Sequence, residues 1–155
     1  MSIHSFEGVL REHPFFAGLG DEHLALLSGC ASNVVFHPGD FLFREGQDAN
    51  QFFVLREGRV AVETFPPIGR PITIETVDGG EVLGWSWAFP PYKWHFDARA
   101  VIAVRALALD GACLRAKFDR QPAFGLEMLR RFSQVLVQRL EATQLQLLDM
   151  YVGRP

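Results

Sequence analysis

The chain has 155 residues, a formal net charge of −3 at pH 7 and a hydrophobic fraction of 48%. These values indicate one folded domain over residues 1–155 and exclude a disordered chain. They also argue against a strongly basic surface for nucleic acid. No apolar run approaches the roughly 18 residues that a membrane-spanning helix needs, and the first residues lack the pattern of a secretory signal. We therefore expect a cytoplasmic protein without a membrane partner.

The chain changes its pattern after its first 32 residues. Residues 1–32 have the apolar spacing of short helices, whereas residues 33–110 contain short β-prone runs. Turn sequences such as Pro38-Gly39-Asp40 and Asp78-Gly79-Gly80 separate these runs. Many short strands between turns predict a β-sandwich or β-roll instead of alternating β-α-β units. The alternation over Val101–Leu109 predicts one strand that is buried on much of both faces.

Helical spacing returns in residues 111–152. Asp110 is suited to cap a short helix, and Gln121-Pro122 begins a longer one. The apolar residues of the longer helix recur every three, four or seven positions, close to a heptad repeat: Leu129, Phe132, Leu136, Leu140, Leu147 and Met150. This seam fits a helix that packs across the β-roll, and it equally fits a helix whose far half pairs with a second copy of the chain.

Short motifs follow one another in a fixed order along most of the chain: His13-Pro14-Phe15-Phe16, Pro38-Gly39-Asp40, Glu45-Gly46, Phe53-Val54-Leu55 and Gly79-Gly80-Glu81-Val82-Leu83-Gly84. In this order they resemble a cyclic-nucleotide-binding domain of the catabolite-activator type. The resemblance implies a mainly β fold, a β-roll (double-stranded β-helix or jelly roll) with N-terminal helices and a long C-terminal helix. It further implies that this helix covers the nucleotide pocket and often mediates dimers, and that the ligand is cAMP or cGMP.

The sequence departs from that family in the phosphate-binding cassette. The resemblance implies a glutamate directly after Gly84 for the ribose hydroxyl and an arginine further along for the cyclic phosphate. This chain has Trp85 in the first position, and an ungapped alignment puts Trp94 in the second. A shift of one residue would put His95 or Lys93 there instead. Loss of both contacts would weaken binding by about 4 kcal/mol, or about a thousandfold.

An aromatic segment replaces the cassette, and it supplies the candidate ligand-contacting residues: Gly84, Trp85, Ser86, Trp87, Trp94, His95 and Phe96. Aromatic rings can stack on a flat ligand, which suggests a rigid pocket for a flat hydrophobic molecule, a fatty acyl chain or a bulkier nucleotide. In a second interpretation the rings fill the vacated pocket and nothing binds. In a third, cyclic nucleotide binds weakly, with Lys93 or Arg99 near the anion.

The sequence lacks the motifs of catalysis and of metal binding. The five histidines are scattered, without metal-ligand spacing: His4, His13, His23, His37 and His95. No G-x-S-x-G, P-loop or strand-linked G-x-G-x-x-G sequence occurs, so we expect neither an enzyme nor a metal centre. Cys30 and Cys113 are distant in sequence, and in a reducing compartment we expect small buried residues and not a disulfide.

Together these patterns predict a stand-alone, non-catalytic ligand-sensing or regulatory domain with altered or weak nucleotide binding. The chain ends shortly after the predicted long helix, so we expect no helix-turn-helix module for DNA. A signal would then pass to an unknown protein partner or change the assembly of the chain, with a homodimer through the long helix as the expected form. The alternative is a ligand-free dimerisation or scaffold module on the same fold.

Overall fold

The computed structural model of the protein describes residues 5–153. His4 and the predicted domain ends at residues 1 and 155 lie outside this range. The elements follow in the order α1 (Glu7–Glu12), a 3-10 helix (Pro14–Phe16), α2 (Asp21–Ser28), β1 (Ala31–Phe36), β2 (Phe41–Phe43), β3 (Gln51–Glu57), β4 (Arg59–Thr64), β5 (Ile72–Asp78), β6 (Val82–Leu83), a second 3-10 helix (Ser86–Ala88), β7 (Asp97–Ala100), β8 (Val104–Asp110), α3 (Gly111–Arg120) and α4 (Pro122–Val152).

The strands of the described range form two four-stranded sheets, in the orders β1-β8-β3-β6 and β2-β7-β4-β5. Neighbouring strands in both sheets run antiparallel. Buried apolar side chains of both sheets form the core, among them Phe52, Phe53, Leu55, Val60, Val77, Leu83, Leu107 and Leu109. The predicted mainly β fold with flanking helices is confirmed.

The prediction of one strand over Val101–Leu109 was wrong at its start. Strand β7 ends at Ala100 and β8 begins at Val104. The chain passes from one sheet to the other between these two residues, because β7 pairs with β2 and β4 whereas β8 pairs with β1 and β3. Alternation of side chains alone does not reveal such a change of sheet.

The prediction of two unpaired cysteines was also wrong, because Cys30 and Cys113 form a disulfide. Strand β1 pairs with β8, and the backbone N–H of Asp110 donates a hydrogen bond of 2.9 Å to the carbonyl of Cys30. Helix α3 therefore begins beside the end of α2. This pairing brings the two Cα atoms within 5.8 Å despite a sequence separation of 83 residues.

The chain divides into two compact units, the first ending at Lys117 and the second beginning at Phe118. In the second unit the ring of Phe118 meets that of Phe124 edge-on, with centroids 5.4 Å apart. Helix α4 spans Pro122–Val152 and begins with proline, as the sequence predicts. Along its second half the apolar side chains of Leu140, Leu147 and Met150 are exposed.

Candidate ligand site at the tryptophan-rich segment

The tryptophan-rich segment, residues 84–96, connects β6 to β7 within the first unit. Tyr92 has a left-handed backbone with φ of +56°, and after it the segment returns towards the turn that follows β2. There the N–H of Trp94 donates to the carbonyl of Gln47 over 3.0 Å, and Gly46 donates to the carbonyl of Trp94 over 2.9 Å. These two bonds fix the backbone of Trp94, and with it the direction of the indole.

The indole of Trp94 packs inside the β-roll. It is stacked on the ring of Phe43, with centroids 3.7 Å apart and an interplanar angle of 9°, and the residue is only 6% exposed. Gly84 also lies against this indole. It has φ of +98°, and a Cβ atom there would lie 2.8 Å from Cη2 of Trp94. Glycine is therefore required at residue 84 by backbone conformation and by space.

A cavity of about 20 Å³ lies beside Trp94. Six of the seven candidate residues line it, namely Gly84, Trp85, Ser86, Trp94, His95 and Phe96, together with Phe43, Val62 and Leu83. A cavity of this size holds about one water molecule, whereas small-molecule pockets measure about 300–1,000 Å³. Six of the candidate residues are thus brought together, with the buried side chain of Trp94 among them.

Trp87, the seventh candidate, is a core residue and does not line the cavity. It is fully buried, its Nε1 donates to the carbonyl of Gly84 over 3.1 Å, and its ring lies near that of Phe52. Arg115 of α3 donates to the carbonyl of Trp87, and its guanidinium lies 4.6 Å from the ring centroid of Tyr92. Trp87 and Arg115 therefore anchor the tryptophan-rich segment to the first unit.

Lys93 and Arg99, the two cationic side chains that the sequence offers as partners for a phosphate, are both paired with carboxylates. Lys93 forms an ion pair with Asp48. Arg99 donates two hydrogen bonds to buried Glu63, from Nε to Oε1 over 2.9 Å and from a terminal nitrogen to Oε2 over 3.1 Å. The hydrogen bond to Glu63 raises the pKa of Arg99 above its ordinary value. A phosphate would have to displace one of these carboxylates to gain a cation here.

Within the described part of the chain, no buried side-chain nitrogen or oxygen lacks a hydrogen-bond partner. The cavity consequently contains no buried side-chain polar atom that needs a ligand to complete its hydrogen bonds. Residues 5–153 also hold no cluster of three or more His, Cys, Asp or Glu side chains suited to a metal ion. In the same range, no helix is both long enough and apolar enough to cross a bilayer.

Sequence reasoning missed Phe43, Val62 and Leu83 as lining residues. The run Phe41-Leu42-Phe43 offers two aromatic rings and no polar marker that tells which one faces inward. In the structure Phe43 is buried, whereas the guanidinium of Arg44 lies 4.0 Å from the ring centroid of Phe41. The register of the β2–β7 pairing shifts between Phe41 and Phe43. Simple alternation of side chains therefore does not predict which ring faces inward.

The sequence model of the cyclic nucleotide-binding domain matches residues 33–121, more than half of the chain. The chain belongs to the cyclic nucleotide-binding domain family. The match covers the β-roll, the tryptophan-rich segment and helix α3, so the family assignment rests on the same region as the candidate site.

Individual relatives agree with this family assignment. The CRP-like cAMP-activated global transcriptional regulator of Mycobacterium tuberculosis (strain CDC 1551 / Oshkosh) is 25% identical over 142 residues, which is 92% of this chain and 62% of that protein. The chain thus spans less than two thirds of that regulator's length. The N-terminal domain of a transcriptional regulator from Streptomyces coelicolor A3(2) is 31% identical, with a TM-score of 0.69 over 86% of this chain and 94% of that one.

A third comparison supports the fold alone. A cyclic nucleotide-binding domain from Methylobacillus flagellatus KT is 17% identical, with a TM-score of 0.83 over 99% of this chain and 90% of that one. The β-roll is therefore preserved at low sequence identity. This is expected when only the apolar core and the turn glycines specify a fold.

In this member of the cyclic nucleotide-binding domain family, the ungapped alignment puts tryptophan at both polar positions that the resemblance implies. Trp85, in the position of the ribose-binding glutamate, lines the cavity. Trp94, which the ungapped alignment puts in the position of the phosphate-binding arginine, stacks on Phe43, and a shift of one residue would put His95 or Lys93 in that position instead. Neither tryptophan side chain offers an acceptor for a ribose hydroxyl or a charge for a phosphate.

Proposed function

We propose that this chain is a non-catalytic regulatory domain in which the tryptophan-rich segment closes the cyclic-nucleotide pocket, so that cAMP and cGMP bind weakly. The observation that carries this proposal is the stacking of Trp94 on Phe43, since the ungapped alignment gives Trp94 the position of the phosphate-binding arginine. A bound phosphate there would lose its water against an apolar ring, which is unfavourable without a charged partner. The pairing of Arg99 with Glu63 adds to this cost, because that cation is already neutralised.

Thermal unfolding with and without cAMP or cGMP at millimolar concentration tests the proposal. A ligand at a hundred times its dissociation constant adds about 2.7 kcal/mol, equivalent to roughly 5 to 10 °C for a domain of this size. We expect a shift below about 2 °C for both nucleotides. A full-sized shift with either nucleotide would show that the segment accepts phosphate and would refute the proposal.

A designed variant sharpens the same test. Trp85→Glu with Trp94→Arg restores both polar groups of the family, and removal of the indole enlarges the cavity, so a nucleotide-dependent shift should appear. The matched control combines Trp85→Glu with His95→Arg, which adds the same charges but leaves Trp94 on Phe43. Circular dichroism of each variant without nucleotide verifies that it is folded.

A dimerisation module is the second candidate function. The exposed residues Leu140, Leu147 and Met150 belong to the heptad-like seam of α4, and such a seam is self-complementary when two copies pair. We propose that a second copy of this chain covers it. Light scattering should show a dimer, and Leu140→Lys with Leu147→Lys should give a monomer, whereas the exposed control Gln138→Lys should not. A monomeric wild type at high concentration would count against this pairing.

We also infer a cytoplasmic location and an output through a protein partner. The kinship with transcriptional regulators supports both. Fractionation of the source cells, followed by detection of the chain, tests the location directly.

A further inference from the structure

The disulfide lies where α2, β1 and α3 meet in the first unit. Cys30 follows the last turn of α2 and is buried, whereas Cys113 lies in the first turn of α3 and is partly exposed. We propose that Cys30 and Cys113 form a reversible thiol–disulfide exchange site whose co-substrate is a protein dithiol. This proposal is independent of nucleotide binding.

Contacts other than the disulfide hold the two cysteines in place. The N–H of Asp110 donates to the carbonyl of Cys30 over 2.9 Å, and Gly111 donates to the carbonyl of Asn50 over 2.8 Å. On the next turn of α3, Nζ of Lys117 donates to the carbonyl of Leu26 over 2.6 Å. The β1–β8 pairing and these bonds keep the Cα atoms at a separation suited to a disulfide. The thiols should therefore stay adjacent after reduction, and the bond can form again.

The surroundings also stabilise a thiolate. Cys113 lies at the N-terminal end of α3, where its N–H is capped by Oδ1 of Asp110 over 2.8 Å, and the positive end of a helix dipole favours negative charge. Lys117 places its ammonium group against Gly29, the residue before the other cysteine. Its Nζ lies 2.6 Å from the position that a Cβ atom on Gly29 would take, directly before Cys30. A nearby cation makes a thiolate a better leaving group.

The exchange proceeds in two displacement steps. The thiolate of the dithiol attacks Sγ of Cys113, the more exposed partner, and the Cys30–Cys113 bond breaks as Cys30 leaves as a thiolate, one residue after the glycine at which Lys117 places its ammonium group. The second thiol of the dithiol, as a thiolate, then attacks the first sulfur of the same dithiol, which is bonded to Cys113 in the mixed disulfide. This step closes the disulfide of the dithiol and releases Cys113. Two electrons pass to the cysteine pair, the dithiol becomes a disulfide, and its two thiol protons end on Cys30 and Cys113.

Helix α3 connects the exchange site to the tryptophan-rich segment. Arg115, two residues after Cys113, bonds the carbonyl of Trp87 and lies over Tyr92. Thiol exchange at Cys113 therefore acts on the same helix that anchors this segment.

Thiol counting on the full chain tests the proposal. Protein purified without reductant is treated under native conditions with dithiothreitol or with reduced thioredoxin, quenched with a maleimide mass tag, and then returned to oxidised glutathione. We expect no tagged thiol at first, two after either dithiol, and none again after glutathione. The proposal is overturned if thiols appear only at the rate of global unfolding, or if two free thiols persist in oxidised glutathione.

Lys117→Gln tests the assignment of Lys117 as a positioning residue. We expect the reduction rate to fall about threefold or more, whereas the control Arg120→Gln, which removes the same charge from an exposed position of α3, should leave the rate unchanged. If the role of Lys117 were purely structural, Lys117→Gln would raise the reduction rate, because a loosened α3 would expose the disulfide. An equal or faster rate in Lys117→Gln would therefore overturn this assignment.

Discussion

The indole of Trp94 lies almost parallel to the ring of Phe43, with planes 9° apart and centroids 3.7 Å apart. One ring belongs to β2 and the other to the tryptophan-rich segment, so the stack joins two distant parts of the β-roll. Such an aromatic pair stabilises a fold beyond the area that it buries, by about 0.5–1.5 kcal/mol. The two rings also line a cavity of only about 20 Å³, so the stack that stabilises the fold is the contact on which the proposed closure of the pocket depends.

Trp94→Ala should lower the free energy of unfolding by about 3–5 kcal/mol, the usual cost of removing a large buried ring. Trp85→Ala is the comparison, because Trp85 is only partly buried at the rim of the same cavity, and it should cost about 1–2 kcal/mol. Urea unfolding of both variants measures the difference. Similar small costs for both would mean that Trp94 does not fill the site.

Gly84→Ala should destabilise the fold for two reasons, the left-handed backbone and the clash with Trp94. We expect a loss of about 2–3 kcal/mol. Gly46→Ala is a matched control, since Gly46 has φ of +84° but no atom near the added methyl group, and should cost about 1 kcal/mol. In a double-mutant cycle, the variant that also carries Trp94→Ala should lose less than the sum of the two single changes. Strict additivity would contradict the contact.

Stability should fall in mild acid because of His13. Its ring is buried, Nε2 lies 2.9 Å from the carbonyl of Leu55, and Nδ1 accepts a bond from the N–H of Phe15. Burial lowers the pKa of His13 below 6.5, although hydrogen bonds to backbone carbonyls oppose this shift. The unfolded chain therefore binds the proton first as the pH falls through about 6.5. The free energy of unfolding then decreases until the pH reaches the lower pKa of the folded state.

Urea unfolding between pH 8 and pH 5 measures this effect, with a slope of at most about 1.4 kcal/mol per pH unit from one histidine. His13→Gln should flatten the profile, whereas His95→Gln, at an exposed position, should not. A profile in His13→Gln as steep as in wild type would assign the acid sensitivity to other groups.

Arg99→Met should cost about 2 kcal/mol, because it leaves the buried carboxylate of Glu63 without its bidentate partner. The comparison is Arg59→Met, which breaks an exposed pair with Asp78 and should cost less than about 1 kcal/mol. Thermal unfolding at low and at high salt separates the two. Salt should weaken the Arg59–Asp78 contribution more than the Arg99–Glu63 contribution, since the more buried pair is screened less.

Periodicity predicted the elements whose contacts are local. The long helix from Pro122 and the cap at Asp110 follow from spacing and from side-chain chemistry within one turn. The candidate site was predicted as a segment, because aromatic enrichment is visible along the chain. What failed were relations across the fold: the break between Ala100 and Val104, the disulfide of Cys30 with Cys113, and the inward direction of Phe43.

The sequence by itself determined a β-roll between helices, and it placed tryptophan at residue 85, directly after Gly84, since both depend on residue type and order. Tertiary structure alone decided that Trp94 enters the roll while Trp87 joins the core, and that Arg99 binds Glu63. The physical reason is that a side chain's direction is set by the strands and turns packed around it, and those neighbours come from distant parts of the chain. The size of the cavity is a property of that packing and is not encoded in any local pattern.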